Sequence, residues 1–194
     1  MKSLVLILFA LTVWGVTGIS QSFAQGVVTF GPKETKIYGS IPYSVIGEYK
    51  AQFSVFRGKI TLNANLQRIQ SVYLEIEASS IHSNCPWCDR VARSRRLLHT
   101  SLYPKIIFKS DKIIKDDSGY KVKGVLEMHG IKRRMIFPFR VDMMGDQKRE
   151  VFDLKGSWII NRKDFNIVWS KLLDRGGILV GDYFTVNWGI KASI

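Results

Sequence analysis

Two cysteines three positions apart carry the clearest potential for covalent chemistry in this chain. Cys85 and Cys88 enclose a Pro-Trp dipeptide, and His82 and His99 lie on either side of the pair. This spacing allows a small disulfide loop, and a helix beginning at the pair would lower the pKa of a thiol and raise its reactivity. The two cysteines and two histidines could also hold a tetrahedral metal ion, although their spacing matches no familiar zinc site closely.

The residues around the pair exclude two familiar uses of such cysteines. A Cys-x-x-Cys motif indicates a thioredoxin-like centre when it lies beside a βαβ pattern, and this sequence has no such pattern. Asp89 follows Cys88 where a c-type haem attachment motif requires histidine. The sequence therefore favours a disulfide or a redox use of the pair over metal binding, and an intramolecular disulfide is the simplest outcome in an oxidising compartment. We assign no metal-binding residue.

The first residues have the features of a cleavable export signal. Lys2 provides a positive charge, the run from Leu4 to Val16 is apolar, and Ala24 ends a Ser-Phe-Ala stretch suited to a signal peptidase. We predict a signal peptide over residues 1–24, a mature single domain over residues 25–194, and a periplasmic or secreted location. A retained single-span anchor is the alternative, but the apolar run is short for a membrane span.

The chain carries an excess of positive charge. Its formal net charge of +13 falls to +12 if Lys2 is removed with the signal peptide. In the cytoplasm such a charge would suggest nucleic acid as a partner, but an exported chain rarely meets nucleic acid. Anionic envelope lipids or acidic amphiphiles are therefore the favoured partners. The simpler alternative is that the charge keeps an apolar barrel soluble. No nucleophile–base–acid set, paired acidic cluster or glycine-rich phosphate loop stands out, so the sequence predicts no enzyme.

The last two-thirds of the chain alternate apolar and polar residues, which is typical of half-buried strands. Many such strands in one small domain must pair two sheets or close into a barrel. Gly124 and Gly156 fall among the inward positions, where a missing side chain would leave room inside. The apolar positions of the clearest segments are Val72, Leu74, Ile76 and Ala78; Tyr120, Val122, Leu126 and Met128; Phe137, Phe139, Val141 and Met143; Phe152, Leu154, Trp158 and Ile160; and Phe184, Val186, Trp188 and Ile190.

One segment interrupts the strand pattern. Residues 86–101 lack β-branched runs, and Val91 and Leu98 form a weak apolar stripe, so we predict a short helical insertion there. Pro104 ends the insertion, because the residue before a proline is pushed out of the helical region. A further interpretation is that the insertion docks on a membrane or an acidic protein through its arginines, Arg90, Arg93, Arg95 and Arg96.

Four motifs occur in order along the chain: Ser80-Ile81 before an arginine-rich insertion that ends in Tyr103-Pro104, Gly124–Lys132, Asn161–Ile167 and Val180–Val186. Together they resemble the motifs of the YceI-like family. The resemblance covers the chain from about Ser80 to its C-terminus. His82 and Ser83 stand where the family has Asp-Thr, and Asn166 stands where it has glycine.

The resemblance implies an all-β fold, a lipocalin-like eight-stranded antiparallel barrel that binds lipid without catalysis. The implied ligand is a polyisoprenoid or a similar long-chain amphiphile, such as an isoprenoid quinone, and no cofactor is obligatory. Its apolar tail would lie inside the barrel, with the head group near one rim. There Arg162 with Asp164 would either orient the head group or fix a turn.

We therefore predict ten ligand-binding residues, and we keep a periplasmic thiol-redox or metal-binding module, based on Cys85 and Cys88, as the alternative function. The oligomeric state is left open, with a homodimer as one option. Packing into a plain core is the simpler role for any single apolar residue among the ten. The predicted ligand-binding residues are Phe53, Leu74, Ile76, Phe108, Leu126, Met128, Phe139, Trp158, Arg162 and Phe165.

Overall fold

The described part of the chain consists of eleven β-strands, one α-helix and two short 3₁₀ turns. The structure, a computed structural model, describes residues 26–33, 35–43, 47–63, 69–117, 119–144, 151–169 and 180–193. The predicted signal peptide, residues 1–24, lies outside the described residues. The elements are β1 (Val27–Phe30), β2 (Thr35–Tyr43), β3 (Gly47–Phe53), β4 (Phe56–Leu62), β5 (Ile69–Glu77), a 3₁₀ turn (Ala78–Ser80), β6 (Ile81–His82), α1 (Pro86–Arg93), β7 (Lys105–Asp116), β8 (Gly119–Met128), β9 (Ile131–Met144), β10 (Val151–Asn161), a second 3₁₀ turn (Arg162–Phe165) and β11 (Tyr183–Ser193).

The strands form one antiparallel sheet that curls on itself. Neighbours are hydrogen-bonded in the order β1-β4-β5-β7-β8-β9-β10-β11-β2-β3-β6. The chain itself joins the two ends of this order, because β3 runs into β4 through Ser54 and Val55 alone. β1 with β2, β3 with β4, and β5 with β6 are thus three bent strands, each divided in two. Counted this way, eight strands surround the interior, and the predicted all-β, lipocalin-like fold is confirmed, although eleven separate strands are present.

The three bends lie at one corner of the curled sheet. They occur at Pro32, at Ser54-Val55 and at the 3₁₀ turn Ala78–Ser80. The Ser54 N–H donates to the Ser80 carbonyl over 3.3 Å, so a backbone hydrogen bond links two of the bends directly. Pro32 has no N–H to give to a ladder, which favours an interruption of the strand at that point.

Two tight turns set the register of β7, β8 and β9. Gly119 opens β8 with φ +113°, a conformation that only glycine adopts without strain. His129 and Gly130 join β8 to β9 with φ angles of 53° and 74°, as in a two-residue hairpin whose central residues are both left-handed. The resulting register sets Phe108 opposite Leu126, so apolar side chains meet on the inner face.

The helix is shorter than the predicted insertion, residues 86–101. α1 ends at Arg93 because Ser94 leaves the helical conformation, and the Ser94 hydroxyl donates to the Val91 carbonyl over 2.7 Å. The chain then continues through successive turns, and His99 adopts a left-handed φ of 46° that an α-helix cannot contain. The prediction of helix beyond Arg93 is therefore wrong, although the insertion itself is present.

The inner faces of the strands pack around a common interior. Its most buried apolar side chains come from strands far apart in sequence, including Ile60 on β4, Phe108 on β7 and Leu154 on β10, each 2 % exposed. Among the described residues, no helix is long and apolar enough to cross a membrane.

The outer face carries one well-connected carboxylate, Glu75 on β5. Arg57 on the paired strand β4 lies 3.0 Å from it, Lys105 lies 2.8 Å from it, and the Tyr73 hydroxyl donates to it over 2.7 Å. The hydrogen bond from Lys105, followed by those from Tyr73 and Arg57, lowers the pKa of Glu75 to about 2. Because its pKa is lowered in the folded state, Glu75 stabilises the fold above its usual pKa of 4.5, and this contribution is lost as the pH falls towards 2.

We expect E75Q to flatten the acid dependence of stability. At pH 7 the variant should unfold at a lower urea concentration than the wild type, and the difference should narrow between pH 4.5 and pH 2 as Glu75 takes up its proton. Urea unfolding followed by circular dichroism at each pH measures this. E127Q, which removes an exposed pair with Lys132 at 3.5 Å, is the control and should follow the wild-type curve. A gap between E75Q and wild type that stays constant down to pH 2 contradicts the assignment.

Candidate functional site

The interior of the curled sheet contains a cavity of about 190 Å³. This volume is more than ten times the roughly 15 Å³ that admits one water molecule. Its wall is almost entirely apolar, so water inside it would find few hydrogen-bond partners. The barrel is therefore hollow, and its cavity suits an apolar occupant.

Nine of the ten predicted ligand-binding residues line this cavity. They meet there because alternate residues of each strand point to the same face, and closure of the sheet turns that face inward. Whether they contact a ligand stays a prediction. The nine are Phe53, Leu74, Ile76, Phe108, Leu126, Met128, Phe139, Trp158 and Arg162.

The tenth residue, Phe165, lies elsewhere. It is completely buried in the 3₁₀ turn after β10, where it belongs to the core but does not line the cavity. Its carbonyl oxygen lies 3.0 Å from Nδ1 of His129, which fastens the turn to the hairpin between β8 and β9. This position gives Phe165 a packing role, and it does not support the predicted contact with a ligand.

Part of the cavity wall comes from the insertion, which the sequence reasoning did not assign to the site. Ala92 on α1 and Leu97 and Leu98 in the turns that follow it line the cavity beside Ile81. The predicted stripe of Val91 and Leu98 depended on a helix that continues to residue 101. Because the helix ends at Arg93, Ala92, Leu97 and Leu98 are the insertion residues that face inward. The sequence carries no signal that they line the cavity, because they lie among exposed arginines and follow no regular period.

A buried carboxylate anchors the insertion to the barrel. Asp89 on α1 accepts hydrogen bonds from the Tyr49 hydroxyl (2.7 Å) on β3 and from the Ser83 hydroxyl (2.6 Å) and backbone N–H (3.0 Å). Burial opposes ionisation of Asp89, but the hydrogen bonds from Ser83 and Tyr49 outweigh it and lower the pKa of Asp89. Burial and the bond to Asp89 raise the pKa of Tyr49. The insertion is therefore held over one end of the barrel by a charge-assisted network.

The two inward glycines do not enlarge the cavity as predicted. A Cβ at Gly156 would lie 2.5 Å from the indole ring of Trp188, and one at Gly124 would lie 2.4 Å from the carbonyl oxygen of Lys109. At Gly124 the ring of Phe108 is also only 2.9 Å away. The missing side chains therefore make room for aromatic rings and backbone of the protein, and the expectation that they leave space for a ligand is wrong.

A layer of aromatic rings forms one boundary of the cavity. Phe137 and Trp158 stack with their ring centres 4.0 Å apart and an interplanar angle of 11°. Phe108 contacts both rings at 5.7 and 5.8 Å, and Trp188 meets Trp158 edge-on at 5.3 Å. Such pairs favour fixed ring orientations. Of these rings, Phe108, Trp158 and Trp188 line the cavity, and Phe137 packs behind them.

Arg162 follows β10 and is only 1 % exposed. Burial lowers the pKa of Arg162, and the nearby Asp182 opposes this shift, so the guanidinium remains a cation. Its hydrogen bonds join the segments that lie on either side of residues 170–179. The guanidinium donates to the carbonyls of Gly181 (2.8 Å), Ile167, Trp169 (2.9 Å) and Val180 (3.3 Å) and to the carboxylate of Asp182 (3.2 Å).

These contacts correct the predicted pairing of Arg162 with Asp164. The carboxylate partner is Asp182, which also accepts from Lys163 over 2.6 Å, whereas Asp164 is exposed and contributes its carbonyl to Arg133 (2.9 Å). Because an arginine has five N–H donors and five acceptors surround Arg162, no donor is left for a ligand head group. Of the two predicted roles, the geometry supports the one that fixes a turn.

Cys85 and Cys88 are joined by a disulfide bond. Closing so short a loop contributes about 2 kcal/mol in the chain-entropy description, the low end of the usual range. With both sulfurs paired, the predicted metal alternative loses its thiolate ligands. Among the described residues, no group of three or more histidine, cysteine and acidic side chains is arranged to hold a metal ion. His82 instead contacts Gln52 at 2.8 Å, and His99 packs against Tyr103.

Comparison with known sequences gives a family match over most of the chain. The profile of the YceI-like domain matches residues 28–192. Protein YceI of Escherichia coli O157:H7 is 29% identical over 119 residues, which cover 59% of this chain and 61% of that protein. A UPF0312 protein of Yersinia pestis is 26% identical with the same coverage. The chain thus spans about three-fifths of the length of these curated relatives.

Comparison with solved structures gives the same fold. BcnA of Burkholderia cenocepacia is similar with a TM-score of 0.69 and 18% identity, covering 82% of this chain and 97% of BcnA. A polyisoprenoid-binding domain of Saccharophagus degradans is similar with a TM-score of 0.61 and 12% identity, covering 87% and 98% of the two chains. At these identities the similarity concerns the fold.

We expect Arg162 to be one of the most important polar residues for stability. R162M removes the donor of four carbonyls and one of the two cations that contact Asp182. Each buried acceptor left unsatisfied costs about 1–3 kcal/mol, so we expect the free energy of unfolding to fall by at least about 3 kcal/mol. K163M, which removes an exposed cation from the same Asp182, is the matched control and should change stability by less than about 0.5 kcal/mol. Urea unfolding measures both, and similar free energies for the two variants would contradict the role of Arg162.

Proposed function

The chain belongs to the YceI-like family, and on that premise we propose that it holds a polyisoprenoid or a similar long-chain lipid in its barrel and carries it without turnover. The observation that supports the proposal most strongly is the apolar cavity of about 190 Å³. The polyisoprenoid-binding domain that shares the fold supports the same ligand class. We propose a quinone-type isoprenoid as one member of that class.

The energetics of such a cavity favour hydrocarbon. Each CH₂ group that leaves water for an apolar interior contributes about 0.8 kcal/mol. Ten buried carbons, about two isoprene units, would therefore contribute roughly 8 kcal/mol before the entropy of association is subtracted, provided that the cavity widens to admit them. The cavity wall offers a ligand almost no charges or hydrogen-bond partners, so binding would rest on the burial of hydrocarbon.

The volume sets how much of a lipid fits. About 190 Å³ is somewhat larger than the roughly 150 Å³ apolar cavity that takes up benzene. In this form the barrel accommodates a segment comparable to one isoprene unit, and a longer tail requires side chains to move. Leu97 and Leu98 of the insertion are the most suitable, because they are only half-buried and line the wall. We propose that they rotate outward when a long tail enters.

The polar end of the lipid belongs outside the cavity in this proposal. The guanidinium of Arg162 is fully engaged by protein acceptors, and the Tyr49 hydroxyl is engaged by Asp89. A head group inside the barrel would therefore lose its bonds to water without replacement. We place it at the rim.

We propose that the protein acts after export, in the periplasm or outside the cell, following cleavage after Ala24. An anionic membrane surface is then the partner that supplies or receives the lipid. The outer side of the insertion supports this partner, since Trp87 is 51 % exposed and Arg90 and Arg95 are exposed beside it. Tryptophan and arginine side chains both suit the membrane–water interface.

Native mass spectrometry tests whether the protein carries a lipid. The protein is isolated without detergent from the compartment that receives it. We expect the wild type to carry the added mass of an apolar lipid. V72F places a ring on the cavity wall and should weaken lipid affinity at least tenfold, and so lower occupancy at limiting lipid, since displacing two CH₂ groups costs about 1.6 kcal/mol. V55F, the same substitution at a valine that is 56 % exposed, is the control and should bind like the wild type.

The proposal fails if none of the three proteins carries lipid and none takes up geranylgeraniol on incubation. Equal occupancy of the wild type and V72F would place any bound lipid outside the cavity. Thermal unfolding of V72F and V55F shows whether both variants are folded.

Binding to vesicles tests the membrane partner. R90Q/R95Q removes two exposed charges of the insertion, and at about 1 kcal/mol per charge it should weaken binding to phosphatidylglycerol vesicles roughly thirtyfold at low salt. K109Q/K112Q removes two exposed charges from β7 and should have little effect. Added salt should weaken wild-type binding. Equal losses in both variants would show non-specific attraction to the whole protein surface.

A further inference from the structure

The disulfide occupies a position that lipid binding does not explain. Neither Cys85 nor Cys88 lines the cavity. Cys85 is the N-cap residue of α1, with Pro86 in the first turn, and its sulfur accepts a hydrogen bond from the backbone N–H of Cys88 over 3.2 Å. The two sulfurs also differ in access, since Cys85 is half-buried and Cys88 is buried.

The N-cap position of Cys85 stabilises the thiolate that reduction of the disulfide would leave at this residue. The first N–H groups of a helix have no intrahelical acceptor and carry partial positive charge. A thiolate at Cys85 would accept the Cys88 N–H as a charge-assisted hydrogen bond, which is stronger than the bond to a neutral sulfur. Thiols at helix N-termini have lowered pKa values for this reason. A disulfide whose reduced form is stabilised is a better oxidant.

The nearest acidic group, Asp89, is placed so that it does not cancel the stabilisation of a Cys85 thiolate. Asp89 follows Cys88, but its carboxylate is directed towards Ser83 and Tyr49, which donate three hydrogen bonds to it. The basic side chains of the same segment, Arg90 and Arg93, favour a thiolate at Cys85, because a nearby cation stabilises negative charge. Arg93 has this effect on Asp89, since it contributes to the lowered pKa of that carboxyl.

The loop that carries Cys85 is held by contacts that do not involve the disulfide. The Cys85 N–H donates to the Ser83 hydroxyl over 3.0 Å, and Ser83 is in turn bonded to Asp89. Arg93 donates to the Ile81 carbonyl. Opening of the disulfide therefore leaves the insertion anchored, and the cysteines can change redox state without loss of the fold.

We propose that Cys85 and Cys88 form a thiol–disulfide exchange site that accepts electrons from a dithiol partner. A thiolate of the partner attacks Sγ of Cys85, the more accessible sulfur, and the Cys85–Cys88 bond breaks with Cys88 leaving as the thiolate. The second partner thiolate then attacks the partner sulfur of the mixed disulfide and releases Cys85. The partner loses two electrons and two protons as its disulfide forms, and the two cysteines gain them. A disulfide-bearing partner restores the oxidised state by the reverse exchange. Trp87, exposed between the cysteines, provides an apolar contact for either partner.

Two single variants of the full chain test the asymmetry of the site. C88S leaves Cys85 as a free thiol, and C85S leaves Cys88. We expect the thiol of Cys85 to have a pKa at least one unit below the usual value of about 8.5 and, at pH 7, to react with iodoacetamide at least ten times as fast as that of Cys88. Mass spectrometry of the alkylated proteins gives both quantities. A Cys85 pKa at or above about 8.5, or equal rates for the two thiols, would overturn the proposal.

A second measurement uses the wild type alone and does not depend on the folding of a variant. The oxidised protein is mixed with a reduced dicysteine peptide, and the reaction is quenched with acid at intervals. We expect one disulfide to be transferred per protein at least ten times as fast as from oxidised glutathione at equal concentration. Transfer no faster than from glutathione would identify the disulfide as a structural clip. C85S/C88S should keep the lipid occupancy of the wild type, so the outcome for the exchange site is independent of the outcome for the cavity.

Discussion

The structure depends on closure of a sheet in which every strand has one apolar face. Three neighbouring strands bend at Pro32, at Ser54-Val55 and at Ala78–Ser80, so the chain itself joins the two ends of the hydrogen-bonded order. Closure removes the long exposed edges of an open sheet and turns all the apolar faces inward. A ring of eight strands encloses a volume set by strand number and tilt. The side chains present leave about 190 Å³ of it unfilled, so the cavity is a consequence of closure.

Two buried charges hold the elements around one end of this ring. Asp89 ties the insertion to β3 through Tyr49, and Arg162 ties the turn after β10 to the start of β11. A buried charge is unfavourable unless its hydrogen bonds are satisfied, and both residues have several partners. A shift of the backbone segments that these two residues join would therefore leave buried polar groups without partners. The cavity wall is almost wholly apolar, whereas its shape is maintained by polar contacts at one end of the barrel.

The sequence predicted the parts of the fold that depend on local periodicity. Alternation along β8 placed Leu126 and Met128 on the inner face, and both line the cavity. It could not predict pairings between distant segments, because periodicity reports the direction of a side chain and not the group that it meets. The sequence therefore predicts a pairing of Arg162 with the nearby Asp164, whereas Asp182, twenty residues away, is its partner. For the same reason the inward Gly156 predicts open space, although the ring of Trp188 fills it.

An almost wholly apolar wall also determines what kind of selectivity the cavity has. Without directed donors and acceptors, two hydrocarbon tails are distinguished mainly by the number of carbons that fit, and one methylene changes binding by only about 1–3 kcal/mol. On the proposed function, the inner surface formed by residues such as Leu74, Ile76 and Leu126 would distinguish ligands by their length and width and hardly by their biosynthetic origin. If the barrel binds a lipid as proposed, the relative abundance of the tails that fit would largely decide which molecule occupies it. On the proposed function, the bound lipid would then reflect the composition of the membrane around the protein.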